Sequence, residues 1–118
     1  MKKGSFRHAA NGIIHAVAKH PNIRIHLTVG IIALLLAWYL RLSKQEFIII
    51  IFTINLVISS EMINTAIESM TDLITKEFRL EAKIAKDVSA GMVLIASFFA
   101  VVIGLVIYTP HLFSLLSK

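Results

Sequence analysis

The chain has 118 residues, 57% of them apolar and 16% charged, with a formal net charge of +5. A soluble domain is typically about 45–50% apolar and about 25% charged. Here the apolar residues come in blocks, so an integral membrane protein is expected, and the basic surplus is assigned to a membrane surface rather than to nucleic acid. There is no cysteine, which excludes disulfides, thiol catalysis and thiolate metal sites.

Met1, Lys2 and Lys3 are not followed by the apolar stretch and small-residue cleavage site of a signal peptide. Residues 5–19 are expected to form an amphipathic helix. Phe6, Ala9, Ala10, Ile13, Ile14 and Val17 make one stripe, and Arg7, Asn11, His15 and Lys19 make another. That pattern suits a helix lying in the membrane interface, with packing on its own protein as the alternative. Pro21 ends the run. Residues 25–40 are the first predicted span, with Trp38 and Tyr39 where an aromatic belt would lie. Its strictly apolar part is shorter than the roughly 20 residues a span needs, so Asn22, Arg24 and His26 extend it into one interface. Residues 41–46 read as a polar turn. The second span is placed at 47–74, residues 76–87 as a charged, partly helical connection, and the third span at 88–108, stopping before Pro110. The whole of 1–118 reads as one all-α membrane domain.

Orientation follows from Lys and Arg in short loops. The segment through Arg24 has five and the 76–87 connection has four, against two in the 41–46 turn and one in the tail. The first and third loops share a side in a three-span topology and are predicted cytoplasmic, in the inner or plasma membrane. Three such helices make a thin bundle that is not expected to shield Glu61 and Asn64 from lipid, so a homo-oligomer that buries this polar face between subunits is expected.

Four polar residues of the second span carry the chemistry. Glu61, Asn64, Glu68 and Asp72 follow one another at offsets of three, four and four, and so occupy an arc of about 80° on one helix face. Carboxylates are costly in hydrocarbon, so this face must meet protein or water. Mg²⁺ is held by one or two carboxylates plus substrate phosphates and water, and Glu68 and Asp72 are spaced to share one ion or one network. Glu61 lies about two turns deeper, roughly 10 Å from Glu68. A partly desolvated carboxylate there is suited to act as a base on a lipid hydroxyl, with Asn64 orienting either partner. Spacing alone leaves three readings open: catalysis, an ion or proton path, and a polar seam between helices.

A second motif runs from Ala85 through Lys86, Asp87 and Ser89 to Gly91. A Lys beside an Asp at a helix start can clamp a phosphate and a metal, and Ser89, Ala90 and Gly91 permit close helix approach. By itself such a pair is more often an interfacial anchor. His8, His15 and His111 read as interfacial polar groups, and no spacing of zinc ligands is present. Neither GxxxxGK[ST], GxGxxG nor a protein-kinase signature occurs.

Together these motifs resemble the small prokaryotic lipid kinase family of diacylglycerol kinase and undecaprenol kinase. The residues that carry the resemblance are Glu61, Asn64, Thr65, Ala66, Ile67, Glu68 and Asp72, then Ala85, Lys86 and Asp87, with Asn22, Arg24 and His26 entering the first span. The resemblance implies a homotrimer of three-span subunits, each with an amino-terminal surface helix. It implies transfer of the ATP γ-phosphate to a membrane alcohol with Mg²⁺. Glu61 would be the general base, supported by Asn64. Glu68 would bind Mg²⁺ with the nucleotide, and Glu77, Phe78, Arg79, Lys86 and Asp87 would contact ATP. Arg79 replaces the family's usual histidine. His20 stands where the family has a second metal-binding Glu, and no acidic residue precedes Glu46. Imidazole is a poor Mg²⁺ ligand, which leaves Glu68, with Asp72 possible, to hold the ion. Residues 103–110 resemble the undecaprenol branch more than the diacylglycerol branch. The alternative that His20 motivates is a catalytically weakened relative that binds lipid or nucleotide as a membrane module.

Overall fold

The computed structural model describes the backbone of residues 2–118 and the side chains from Gly4 onward. Met1 and the side chains of Lys2 and Lys3 lie outside the described residues. The described chain is all-helical, with α1 at Lys2–Lys19, α2 at Pro21–Tyr39, α3 at Lys44–Ile74 and α4 at Leu80–Leu116. Helices α2, α3 and α4 are long and apolar enough to cross a membrane. This is the all-α, three-span architecture expected from the apolar blocks.

The helix ends differ from the sequence expectation, each for a local reason. Helix α2 starts directly after His20, with Pro21 in its first turn, where a missing N–H removes no helix bond and the fixed φ suits the start. The Arg24 guanidinium reaches back and donates to the Val17 and Ala18 carbonyls, both at 2.9 Å. It thereby caps the carboxy-terminal end of α1, where carbonyls lack intrahelical donors and a cation is favoured. Ala16 and Ile23 are buried at this corner.

Helix α3 starts at Lys44, three residues before the apolar run. Ser43 and Glu46 form a reciprocal capping box: Ser43 Oγ accepts from the Glu46 amide at 3.1 Å, and Glu46 accepts from the Ser43 amide at 2.9 Å. Two orphan donors are satisfied there. The connection that reads as a charged loop is short, because α4 already begins at Leu80.

Helix α4 also runs through Pro110 to Leu116, where the sequence suggested a stop. Proline forfeits one bond, to the carbonyl four residues earlier. At 37 residues the helix is about 55 Å long, well beyond the ~30 Å hydrocarbon core. The freed carbonyl therefore lies near an interface where water or headgroups can satisfy it.

Packing between the spans is close at two points. A Cβ on Gly30 would lie 3.0 Å from Ile54 Cγ2, so the absent side chain lets α2 and α3 approach. Tyr108 Oη donates to the Ala33 carbonyl at 2.6 Å, fastening α4 to the middle of α2. Gly91, expected to serve close approach, has nothing within 4 Å of a Cβ position. The chain is a slab of 59 × 38 × 21 Å, and its buried positions are few among the described residues.

Candidate functional site

The polar face of α3 is graded in depth. Glu61 is 5% exposed and Asn64 9%, Glu68 is half-buried, and the Asp72 side chain is 49% exposed. A single chain thus shields Glu61 and Asn64, contrary to the expectation for a thin bundle, because α2 and α4 cover this face with His26 and Ser89. The same helix offers a desolvated carboxylate at one end of the stripe and a wet one at the other.

Asn64 is the hinge of this face. Its Oδ1 accepts from the Ser89 hydroxyl at 2.7 Å, and its Nδ2 donates to Glu68 Oε1 at 3.3 Å. Ser89 has the Lys86 carbonyl as a second acceptor at 3.0 Å. The two bonds fix which way the amide faces, because its oxygen must meet the hydroxyl and its nitrogen the carboxylate. Helix α4 thus orients a carboxylate of α3 through a buried side chain. Sequence reading assigned Ser89 to close helix packing and missed this role. The usable signal was a small hydroxyl in the first turns of α4, next to a stripe needing partners. Ser89→Ala leaves the buried Asn64 oxygen without its donor, at a cost of about 1–3 kcal/mol. The expected result is a lowered midpoint in thermal denaturation of the solubilised protein.

Glu61 faces α2. His26 Nε2 lies 3.6 Å from Glu61 Oε1, with the imidazole 25% and the carboxylate 6% exposed. That distance is an electrostatic contact rather than a hydrogen bond, and it becomes an ion pair when the ring is protonated. His26 entered the sequence reading as a residue extending α2 toward the interface and as part of the segment resembling the family, with no role beside Glu61. A buried carboxylate in need of a polar neighbour from another helix was the clue to it.

The wet end gathers other predicted residues. Asp72, Glu77, Phe78, Arg79, Lys86 and Asp87 line one hollow of about 430 Å³ at the α3–α4 corner. This is within the common range for small-molecule sites, about 300–1,000 Å³. Lys86 Nζ is 2.6 Å from Asp72 Oδ1, with both groups nearly half exposed. Asp87 pairs with Lys83 one turn earlier on α4, and Glu77 with Arg79. Exposed pairs of this kind contribute about 0–1 kcal/mol, so Lys86 can exchange Asp72 for a phosphate at little cost. Glu68 is not part of this lining. Its hydrogen bond from Asn64 ties it to Ser89 of α4.

His20 sits at the α1–α2 corner with its ring edge-on to His15, centroids 6.2 Å apart. Among the described residues no hydrogen bond or ion pair joins it to Glu68, and no group of three or more His, Cys, Asp or Glu closes on one point. An all-protein metal cage is therefore not formed by these side chains. The donor set does fit a Mg²⁺ ion carried largely by phosphates, which takes only one or two protein carboxylates. Glu68 and Asp72 are the carboxylates of α3 available to such an ion, Asp72 only when released by Lys86.

Comparison with known proteins identifies the family. The family model described as prokaryotic diacylglycerol kinase matches residues 7–108. The chain is 39% identical to a diacylglycerol kinase of Synechocystis sp. over 113 residues, which is 95% of this chain and 65% of that protein. It is 37% identical to an undecaprenol kinase of Bacillus subtilis over 108 residues, 92% of this chain and 88% of that protein. The chain thus spans about two thirds of the length of the cyanobacterial relative and most of the Bacillus one. The matched segment takes in the α3 stripe, Ser89 and the hollow. The chain belongs to the prokaryotic diacylglycerol kinase family.

Proposed function

We propose that this protein is an ATP-dependent lipid kinase that transfers the γ-phosphoryl group to the hydroxyl of a membrane lipid, with undecaprenol favoured over diacylglycerol. Family membership supports the activity. The observation that carries the division of labour is the buried connection Ser89–Asn64–Glu68 beside Glu61. Ser89 continues it to the Lys86 carbonyl, and the Lys86 side chain lines the hollow together with Asp87.

In this reading Glu61 accepts the proton as the lipid oxygen attacks the γ-phosphorus, and the bond from that phosphorus to the bridging oxygen of ADP breaks. Asn64 holds Glu68 in place, and Glu68, with Asp72 when it is free of Lys86, would hold Mg²⁺. When bound, that ion supplies charge neutralisation on the phosphate oxygens. Lys86, Asp87 and the residues from Glu77 to Arg79 would hold the nucleotide. His26 steadies the Glu61 charge from α2.

The site belongs on the cytoplasmic side of the inner or plasma membrane, where the Lys and Arg counts put the α3–α4 corner and where ATP is present. A homotrimer is proposed as the working assembly. Asn55 is exposed in the middle of α3, and an amide at that depth is poorly placed against hydrocarbon. The preference for undecaprenol rests on residues 103–110 alone.

The test is transfer of labelled phosphate from ATP to a panel containing undecaprenol and diacylglycerol, with Mg²⁺ and with Mn²⁺. Labelled undecaprenyl phosphate should dominate. No labelled lipid under any condition would sink the kinase reading and favour the binding-module alternative that His20 motivates. His20→Glu adds a carboxylate where the family carries one. It is expected to lower the Mg²⁺ concentration for half-maximal rate by about tenfold, since ligand charge tunes affinity at such sites.

A further inference from the structure

The opposite end of the bundle carries a second polar hollow, of about 420 Å³, lined by Tyr39, Arg41, His111, Ser114, Leu115 and Lys118 among others. Along α3 it is about 45 Å from the α3–α4 corner, so it takes no part in the site described above. We infer that this hollow binds the phosphate headgroup of an anionic phospholipid in the leaflet facing away from the catalytic site.

The first argument is how the hollow is built. Helix α2 ends in a Schellman motif: the Leu42 amide donates to the Ala37 carbonyl at 3.1 Å, and the Arg41 amide to the Trp38 carbonyl at 3.2 Å. This leaves Arg41 left-handed, with φ 57°, at the position where glycine is the usual choice. A side chain there is disfavoured by the backbone, yet the chain carries its guanidinium at that point. From α4, His111 meets both carboxylate oxygens of Glu46, at 3.1 and 3.2 Å. The same Glu46 closes the capping box at the start of α3. The turn and the end of α4 are thereby tied together, and Arg41 and Lys118 line the space between them.

Charge and depth select the ligand. Arg41 and Lys118 line this hollow together with Ser114 and Tyr39, and guanidinium, ammonium and hydroxyl groups are donors that a phosphate's oxygens take. The neighbouring Trp38 and Tyr39 are 77% and 64% exposed, as aromatic rings at headgroup level are. A phosphate at that level belongs to a lipid rather than to a solute. These two cations come from two helix ends and line one hollow.

Trp38 is the chain's only tryptophan and reports on the site directly. Its fluorescence is measured in vesicles of phosphatidylcholine doped with brominated phosphatidylglycerol, or with brominated phosphatidylcholine at the same mole fraction. Brominated phosphatidylglycerol should quench at a mole fraction about fivefold lower for each cation engaged. Arg41→Gln and Lys118→Gln should each remove about one such factor. Lys44→Gln, an exposed cation of the same turn that does not line the hollow, should leave the preference intact. Arg41→Gly suits the left-handed backbone, so it should fold and still lose the same factor as Arg41→Gln. Equal quenching by the two lipids overturns the inference, as does an equal loss in Lys44→Gln, which would mean diffuse surface attraction. Loss of the preference on adding millimolar inorganic phosphate would identify free phosphate as the occupant and overturn the lipid assignment.

Discussion

Glu61→Gln is expected to lower kcat for lipid phosphorylation by about 10²–10⁴-fold, the usual contribution of a positioned general base. The amide keeps the size of the carboxylate and can still face His26, but it cannot take the proton of the attacking hydroxyl. Because Glu61 is 5% exposed, the neutral replacement also removes a desolvated charge, so the thermal midpoint should hold or rise. ATP binding should be unchanged, since Glu61 lies outside the hollow at the α3–α4 corner. Turnover with labelled ATP and nucleotide binding by equilibrium titration together check this. Full activity in Glu61→Gln would remove Glu61 from the role of base and reopen the reading of the stripe as a polar seam.

Glu68→Gln is the second large effect. It replaces the carboxylate that Asn64 orients with a neutral amide, while the Ser89–Asn64 bond can persist. If Glu68 holds the metal–nucleotide complex, the loss should appear in the metal dependence. The Mg²⁺ concentration for half-maximal rate is expected to rise, and kcat/KM for ATP to fall, by about 10²-fold or more, as several kcal/mol of charge stabilisation are lost. Glu61→Gln should show no such metal shift. Identical metal profiles for the two variants would contradict the division of the stripe by depth.

Much of this site was legible along one helix. Offsets of three and four put Glu61, Asn64, Glu68 and Asp72 on a single face, because a helix repeats every 3.6 residues. The gradient in burial from Glu61 to Asp72 follows their order along α3. The partners were less legible, since His26 and Ser89 lie on other helices and no local period connects them to the stripe. Lys86 was read as a phosphate clamp, and its contact with Asp72, fourteen positions earlier in the chain, appears only once α3 and α4 are laid side by side.

The helix ends divide in the same way. The Ser43–Glu46 box was written in the sequence as a serine followed three residues later by glutamate, although the apolar count placed the start of α3 later. The Arg24 cap on α1 has no such signature, because a side chain reaching back across a helix corner depends on the angle between the two helices. Pro110 pointed to a stop, but the length of α4 carries it to the interface, where one missing bond is easily replaced.

Composition, hydrophobic blocks and helical spacing by themselves determined the membrane class, the three spans and the acidic face, because each depends on residues close together in the chain. Which carboxylate is dry, which cation it meets and how Asn64 faces were decided only by the packing of α2 and α4 against α3. Those properties come from desolvation and contacts across 25 or more residues, and such contacts exist only once the helices are assembled.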